Sequence, residues 1–125
     1  MKFELDIAPA DKNQIRSYRR GAVTVNEEAF HNSLIVTPDR LLRDWPPRGF
    51  DSLEETHFRI LLTLEPECVI LGTGGQLRFP ASGILSPLAG AGIGVEVMDT
   101  GAACRSYNVL ASEGRRVAAA LLMIE

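Results

Sequence analysis

The stretch from Cys68 to Arg115 constrains the fold most, because it holds two strand–loop–helix units in series. The first is the apolar run Cys68-Val69-Ile70-Leu71, opening into Gly72-Thr73-Gly74-Gly75. The second is Val95-Glu96-Val97-Met98, opening into Asp99-Thr100-Gly101 and a helical segment that carries Tyr107, Asn108 and Leu110. A third apolar run, Arg115 to Ile124, closes the chain and is expected to be covered on both faces. Short apolar runs separated by helices predict parallel strands joined by right-handed crossovers. The carboxyl ends of the first two strands should then lie side by side, with Thr73 and Thr100 at one rim. Open α/β sheets bind ligands at such rims.

Upstream the composition is that of β-structure. Ile15 to Arg19, Ala22 to Val25 and Phe30 to Thr37 read as strands, separated by Arg20-Gly21 and Asn26-Glu27-Glu28. A proline-rich connector, Asp44-Trp45-Pro46-Pro47, precedes a helix expected to start at Ser52 with Glu55 completing a capping box. A short helix interrupted by Gly83 and Pro87 is expected around residues 81–89, and a longer one over Gly101 to Ser112, capped by Thr100 and stopped by Gly114. The expected fold is a single α/β domain over residues 1–125: a short, mostly parallel sheet with helices packed on it, plus an N-terminal antiparallel β-meander or hammerhead.

With 125 residues, the chain can bury a core without help from metals or disulfides. A net charge of −3 argues against nucleic acid as a partner. Cys68 and Cys104 each sit in an apolar pattern and are expected as unbridged, packed thiols of a reducing compartment. Met1 to Ile15 is polar and shows no leader, and no apolar run approaches the roughly 20 residues of a membrane span. A cytoplasmic location without direct membrane insertion is the expectation.

Complete catalytic constellations are missing. The Gly72–Gly75 loop lacks the third glycine of a dinucleotide fingerprint, since Leu77 stands there, and no Gly-Lys-Ser/Thr follows. Two readings of the loop remain: an anion cradle, or a tight turn needing positive φ. His31 and His57 have no ligand-spaced partners, so no metal is expected, and no cofactor. Cys104, one turn into its helix, reads as packing before it reads as a nucleophile. Asn108 sits mid-helix among apolar neighbours, where it could bond to the Gly72–Gly75 loop or to a ligand. Trp45 on its stiff loop is either an anchor for a partner surface or a lid folded over the core.

The blocks Gly72-Thr73-Gly74, Met98-Asp99-Thr100-x-x-Ala103 and Tyr107-Asn108-x-Leu110-x-x-Glu113-Gly114-Arg115 are similar to the signature of a small domain family. Pro38, Trp45 and the Val117–Leu122 ending also fit. That family contains the mitochondrial respiratory complex I assembly factor three, an adipogenesis-associated protein and short prokaryotic proteins. The resemblance implies an α/β fold, no established catalysis or cofactor, and partners that are proteins, of the kind supplied by respiratory-complex or membrane-protein assembly. From residues and resemblance together, a non-enzymatic interaction module is expected, using a rim of Gly72, Thr73, Gly74, Thr100, Tyr107, Asn108 and Arg115. The alternative is a small-anion-binding protein or enzyme that uses the same rim.

Overall fold

The structure, a computed structural model, describes residues 5–7 and 12–125. Most of Met1 to Ile15, the stretch read as carrying no leader, lies outside the described residues. A six-stranded sheet takes its strands in the order β1 (Leu5–Ile7), β6 (Arg40–Leu42), β5 (Leu34–Val36), β9 (Val117–Leu121), β7 (Cys68–Gly72) and β8 (Gly94–Met98). Its parallel part is β7 flanked by β8 and β9, as the alternating pattern implied. Antiparallel strands extend it beyond β9: β5, then β6 and β1. The expected meander is a separate antiparallel sheet of β2 (Ile15–Arg19), β3 (Ala22–Val25) and β4 (Glu28–Phe30).

The run Phe30 to Thr37, read as one strand, divides between the two sheets. Burial explains the break. The meander packs one face inward, so its strands alternate or carry polar residues. Leu34, Ile35 and Val36 are all fully buried and need cover on both sides. They find it between β6 and β9 in the interior of the large sheet.

The large sheet alternates its side chains between two cores. On one face, Leu34, Val36, Ile70, Val117, Ala119 and Leu121 pack with the meander and with Ala103, Cys104 and Tyr107 of α3 (Thr100–Ser112). On the other, Ile35, Leu42, Val69, Leu71, Ala118 and Ala120 pack against α1 (Glu55–Leu62) and α2 (Ser86–Gly90). Every residue of β9 is fully buried, although the strand is shorter than the expected Arg115–Ile124. The three alanines at its centre allow helices on both faces to approach closely.

Helix α1 begins at Glu55, three residues later than read. Ser52 caps a 3₁₀ turn (Phe50–Ser52) instead: its Oγ accepts from the Arg48 and Gly49 amides and donates to the Gly49 carbonyl. At the true start His57 Nδ1 accepts the Glu54 amide, 3.0 Å away. Asp99, and not Thr100, is the N-cap of α3, its carboxylate taking the Ala102 amide at 2.9 Å. Gly114 ends this helix at φ +79, and the Arg115 amide reaches back to Leu110 and the Gly114 amide to Ala111, the paired bonds of a Schellman motif.

Trp45 is a lid and not a partner anchor. It is 2% exposed, packs edge-on against Phe58 at 5.6 Å, and donates its indole N–H to the His57 carbonyl at 2.9 Å. Its own amide is held by Ser33. Trp45→Ala should therefore cost about 3–5 kcal/mol in urea unfolding, by cavity formation. Trp45→Phe, which keeps a ring but gives up the indole bond to a carbonyl that the helix still satisfies, should cost less, about 0.5–1.5 kcal/mol for the hydrogen bond. A loss below 1 kcal/mol for the alanine variant would contradict the lid.

Candidate functional site

Strand geometry brings the Gly72–Gly75 loop to the start of α3, as expected, and a single hydroxyl joins them. Thr100 is fully buried. Its Oγ1 accepts the Gly74 amide at 2.8 Å and donates to the Leu122 carbonyl at 2.6 Å. Its backbone amide returns to the Gly74 carbonyl at 2.8 Å, and the Leu122 amide bonds the Gly72 carbonyl at 3.0 Å. The ends of β7, α3 and β9 are thus tied together by one side chain and its neighbouring amides. Among the described residues no buried side-chain polar atom at this rim lacks a partner.

Gly72 is required here for close approach and not for positive φ. A Cβ at this position would lie 2.9 Å from Thr100 Oγ1, 3.0 Å from Leu121 Cδ2 and 3.1 Å from Ala103 Cβ. Gly74, at φ +96, is the position that meets the turn expectation. Thr73 folds the next part of the loop. Its amide bonds the Met98 carbonyl at 2.9 Å. Its hydroxyl donates to the Gln76 carbonyl at 2.6 Å and accepts the Arg78 amide at 3.2 Å.

These bonds bear on the anion reading. A phosphate cradle needs loop and helix-terminal amides that point at the ligand. The Thr73 and Gly74 amides are bonded to Met98 and Thr100, and those of Thr100 and Ala102 to Gly74 and Asp99. The adjacent cavity, 470 Å³ between residues 48–52, 73–78 and 122–125, sets Arg48 and Arg78 against Asp51 and Glu125. Arg78 is already paired with Asp51 at 3.0 Å and stacked on Phe50 at 4.1 Å. Arg48 is the cation of this cavity left without a side-chain partner among the described residues, and the Asp51 and Glu125 carboxylates beside it offset its charge for an anion.

Three expected rim residues lie elsewhere. Asn108 does not face the Gly72–Gly75 loop. Its amide clasps one residue of β2, accepting the Ile15 N–H at 3.0 Å and donating to the Ile15 carbonyl at 2.8 Å. Tyr107 is fully buried, with its hydroxyl donating to the Asn13 carbonyl at 3.0 Å. Arg115 sits at the opposite end of the sheet, where its Nε lies 3.2 Å from Glu67 just ahead of β7. The Arg116 amide, ahead of the Arg115 guanidinium, holds the Glu67 carboxyl below its usual range.

The sequence reading passed over Asn13, which organises this far side. It is 3% exposed; its Nδ2 donates to the Thr37 and Arg40 carbonyls and its Oδ1 accepts from Asn26. A polar residue in a polar stretch gave no signal. Asn13 and Asn108 together join the meander to the sheet and to α3, using side-chain amides where strand pairing stops. Both cysteines are unbridged, Cys104 buried and Cys68 half-buried. Among the described residues no group of histidine, cysteine and carboxylate side chains is placed to hold a metal ion.

Two expectations follow. Thr100→Val keeps the shape but strands the Gly74 amide and the Leu122 carbonyl, so unfolding free energy should fall by about 1–3 kcal/mol for each. Thr100→Ser, which keeps the hydroxyl, should lose about 1 kcal/mol from the missing methyl. Equal losses for the two variants would remove the hydroxyl's role. The second concerns alkali. Burial pushes the Cys104 thiol up from 9.0 to about 12, and burial, with a smaller contribution from Asp39, raises the Tyr107 phenol. The folded chain keeps both protons while the unfolded chain releases them. The stability they contribute is complete below pH 9 and is lost as pH rises from there toward 12. The fall approaches about 1.4 kcal/mol per pH unit for one thiol. Urea titrations from pH 8 to 10.5 should show it, with a shallower slope for Cys104→Ala; identical slopes would exclude the thiol as a cause.

Comparison with known proteins places this geometry. A rat protein, NADH dehydrogenase [ubiquinone] 1 alpha subcomplex assembly factor 3, is 33% identical over 110 residues, covering 86% of this chain and 59% of its own length. The chain thus spans little more than half of that relative. A Francisella tularensis protein called 13 kDa major membrane protein is 28% identical over 109 residues, 86% of this chain and 88% of that one. Among the described residues no helix is long and apolar enough to cross a membrane. A solution structure from Bordetella pertussis, described as a Mth938-like domain, superposes with a TM-score of 0.81 at 28% identity, covering 98% of this chain and 92% of that one. The α/β architecture with its separate three-stranded sheet is that fold. The profile of the DUF498/DUF598 proteins of unknown function matches residues 15–122, and the chain belongs to that family.

Proposed function

We propose that the chain is a non-catalytic protein-interaction module of the assembly-factor kind, and that its rim serves as a pedestal for a contact loop. The observation that carries this reading is the loop after β7. Leu77 and Phe79 are 52% and 71% exposed, flanking an Arg78 that is fixed by Thr73, Asp51 and Phe50. Two large apolar side chains held out from an anchored backbone lose little conformational freedom on binding, which favours contact with an apolar partner surface. The Thr73 and Thr100 hydroxyls and the Thr73, Gly74, Thr100 and Ala102 amides, which chemistry on a small ligand would draw on, are engaged in folding the loop and the helix start. The kinship with complex I assembly factors supports a protein partner drawn from membrane-complex assembly.

Affinity capture with the native chain, from soluble and detergent-solubilised fractions of the source cells, tests this. Leu77→Asp with Phe79→Asp should abolish capture of a specific protein while shifting the unfolding midpoint by less than about 2 °C, since both residues are exposed. Capture unaffected by the double substitution would overturn the assignment to this loop.

A further inference from the structure

Strand β8 ends the large sheet and, among the described residues, pairs with β7 alone. Its outer edge therefore presents unpaired backbone groups, an arrangement that invites another strand. Beside this edge runs a groove of 410 Å³ between β8 and α3, lined by Ile70, Glu96, Met98, Arg105, Val109 and Leu110. Most of the lining is apolar, and Val109 is 56% exposed. Glu96 is exposed and, among the described residues, has no ion-pair partner. Arg105 contacts the Tyr18 hydroxyl and ring, which leaves further guanidinium donors available. One acid and one base thus line the same groove along an open edge. Such a surface is complementary to itself.

We propose that this edge takes a second copy of the same chain, with two β8 strands paired antiparallel about a two-fold axis at Val97 and Glu96 of each copy meeting Arg105 of the other. Charge selects the register. Centring the pair on Glu96 would set two carboxylates opposite each other, which is unfavourable. Centring it on Val95 would place Glu96 opposite Gly94, away from the Met98 end of the groove. Centring it on Val97 places Glu96 opposite Met98, which lines the groove together with Arg105. It also sets two β-branched Val97 side chains together on the other face, which carries Val95 and Val97. A stable interface needs roughly 800 Å² from each partner, more than one short strand supplies. The exposed Val109 and the groove would provide the remainder, with the two α3 helices flanking the axis. The contact is isologous and closes at two copies.

Sedimentation equilibrium of the full chain over micromolar concentrations tests the proposal. The expected result is a concentration-dependent mass of twice 13.7 kDa. Glu96→Arg and Arg105→Glu should each weaken the dimer by about tenfold or more, and the combined charge swap should restore it to within about threefold of the native chain. Because both residues are exposed, thermal unfolding of the variants should stay close to that of the native chain. A chain that is monomeric throughout overturns the proposal, as does a dimer that ignores both single reversals. A double variant no better than either single one overturns the Glu96–Arg105 contact. A monomeric chain that captures a different protein through Glu96 gives the edge to another partner, and overturns self-association.

Discussion

The Thr100 hydroxyl is the contact on which the parallel half of this fold depends. In a parallel sheet the strand-to-helix loops leave backbone amides and carbonyls without strand partners, and a structure must satisfy them, leave them to water or use them on a ligand. Here one side chain satisfies two of them, the Gly74 amide and the Leu122 carbonyl, from inside the core. That position also dictates Gly72, because the space a Cβ would need is filled by the same hydroxyl. The resemblance between this rim and a ligand-binding rim is therefore one of topology. The donors are the same kind of groups, but most are turned inward.

The other end of the molecule meets a different problem with related chemistry. The meander and the large sheet are separate ladders; the Asn13 amide on the Pro38 carbonyl and the Arg20–Gly21 turn on Ile124 join their ends, but among the described residues no backbone pairing runs from β2 to β5 or to α3. Asn13 and Asn108 supply it, since a primary amide offers a donor and an acceptor side by side and can pair with a residue's N–H and C=O as another strand would. Asn108 does this to Ile15, and Asn13 links the β5–β6 turn to Asn26. The two asparagines stand where the hydrophobic cores alone would leave the relative position of the sheets loosely specified.

What could be read from the chain follows from these distinctions. Periodicity located β7, β8, β9 and α3, because buried parallel strands and an amphipathic helix have a local signature. Gly114 as a helix stop and the meander of β2 and β3 were legible for the same reason. The partition of residues 30–37 between sheets was not, because it depends on what covers Leu34–Val36 in space. Thr100 reads from the sequence as a helix cap and Asn108 as a bond to the Gly72–Gly75 loop or a ligand, because their actual partners lie 22 and 93 positions away in the chain. Arg115 was grouped with Thr73 only because a sequence motif joins them; a strand's length separates them at opposite ends of the sheet. Residue type showed that a polar group had a task, and tertiary structure decided which one.

The same reasoning limits where function can reside. A polar group committed to the fold can act on a ligand only by breaking a bond that the fold requires, at a cost of the order of 1–3 kcal/mol for each buried group exposed unsatisfied. At the Thr100 rim several such bonds would break together, so chemistry there would compete directly with stability. The loop carrying Leu77 and Phe79 and the outer edge of β8 carry no such penalty, since both are already open to solvent. They also differ in what they offer. The loop presents side chains from a fixed backbone, while the edge presents backbone beside an apolar groove. The first suits contact with a folded partner surface; the second requires an extended strand. Because the two surfaces are separate, a strand added at the edge of β8 would leave the Leu77–Phe79 loop uncovered.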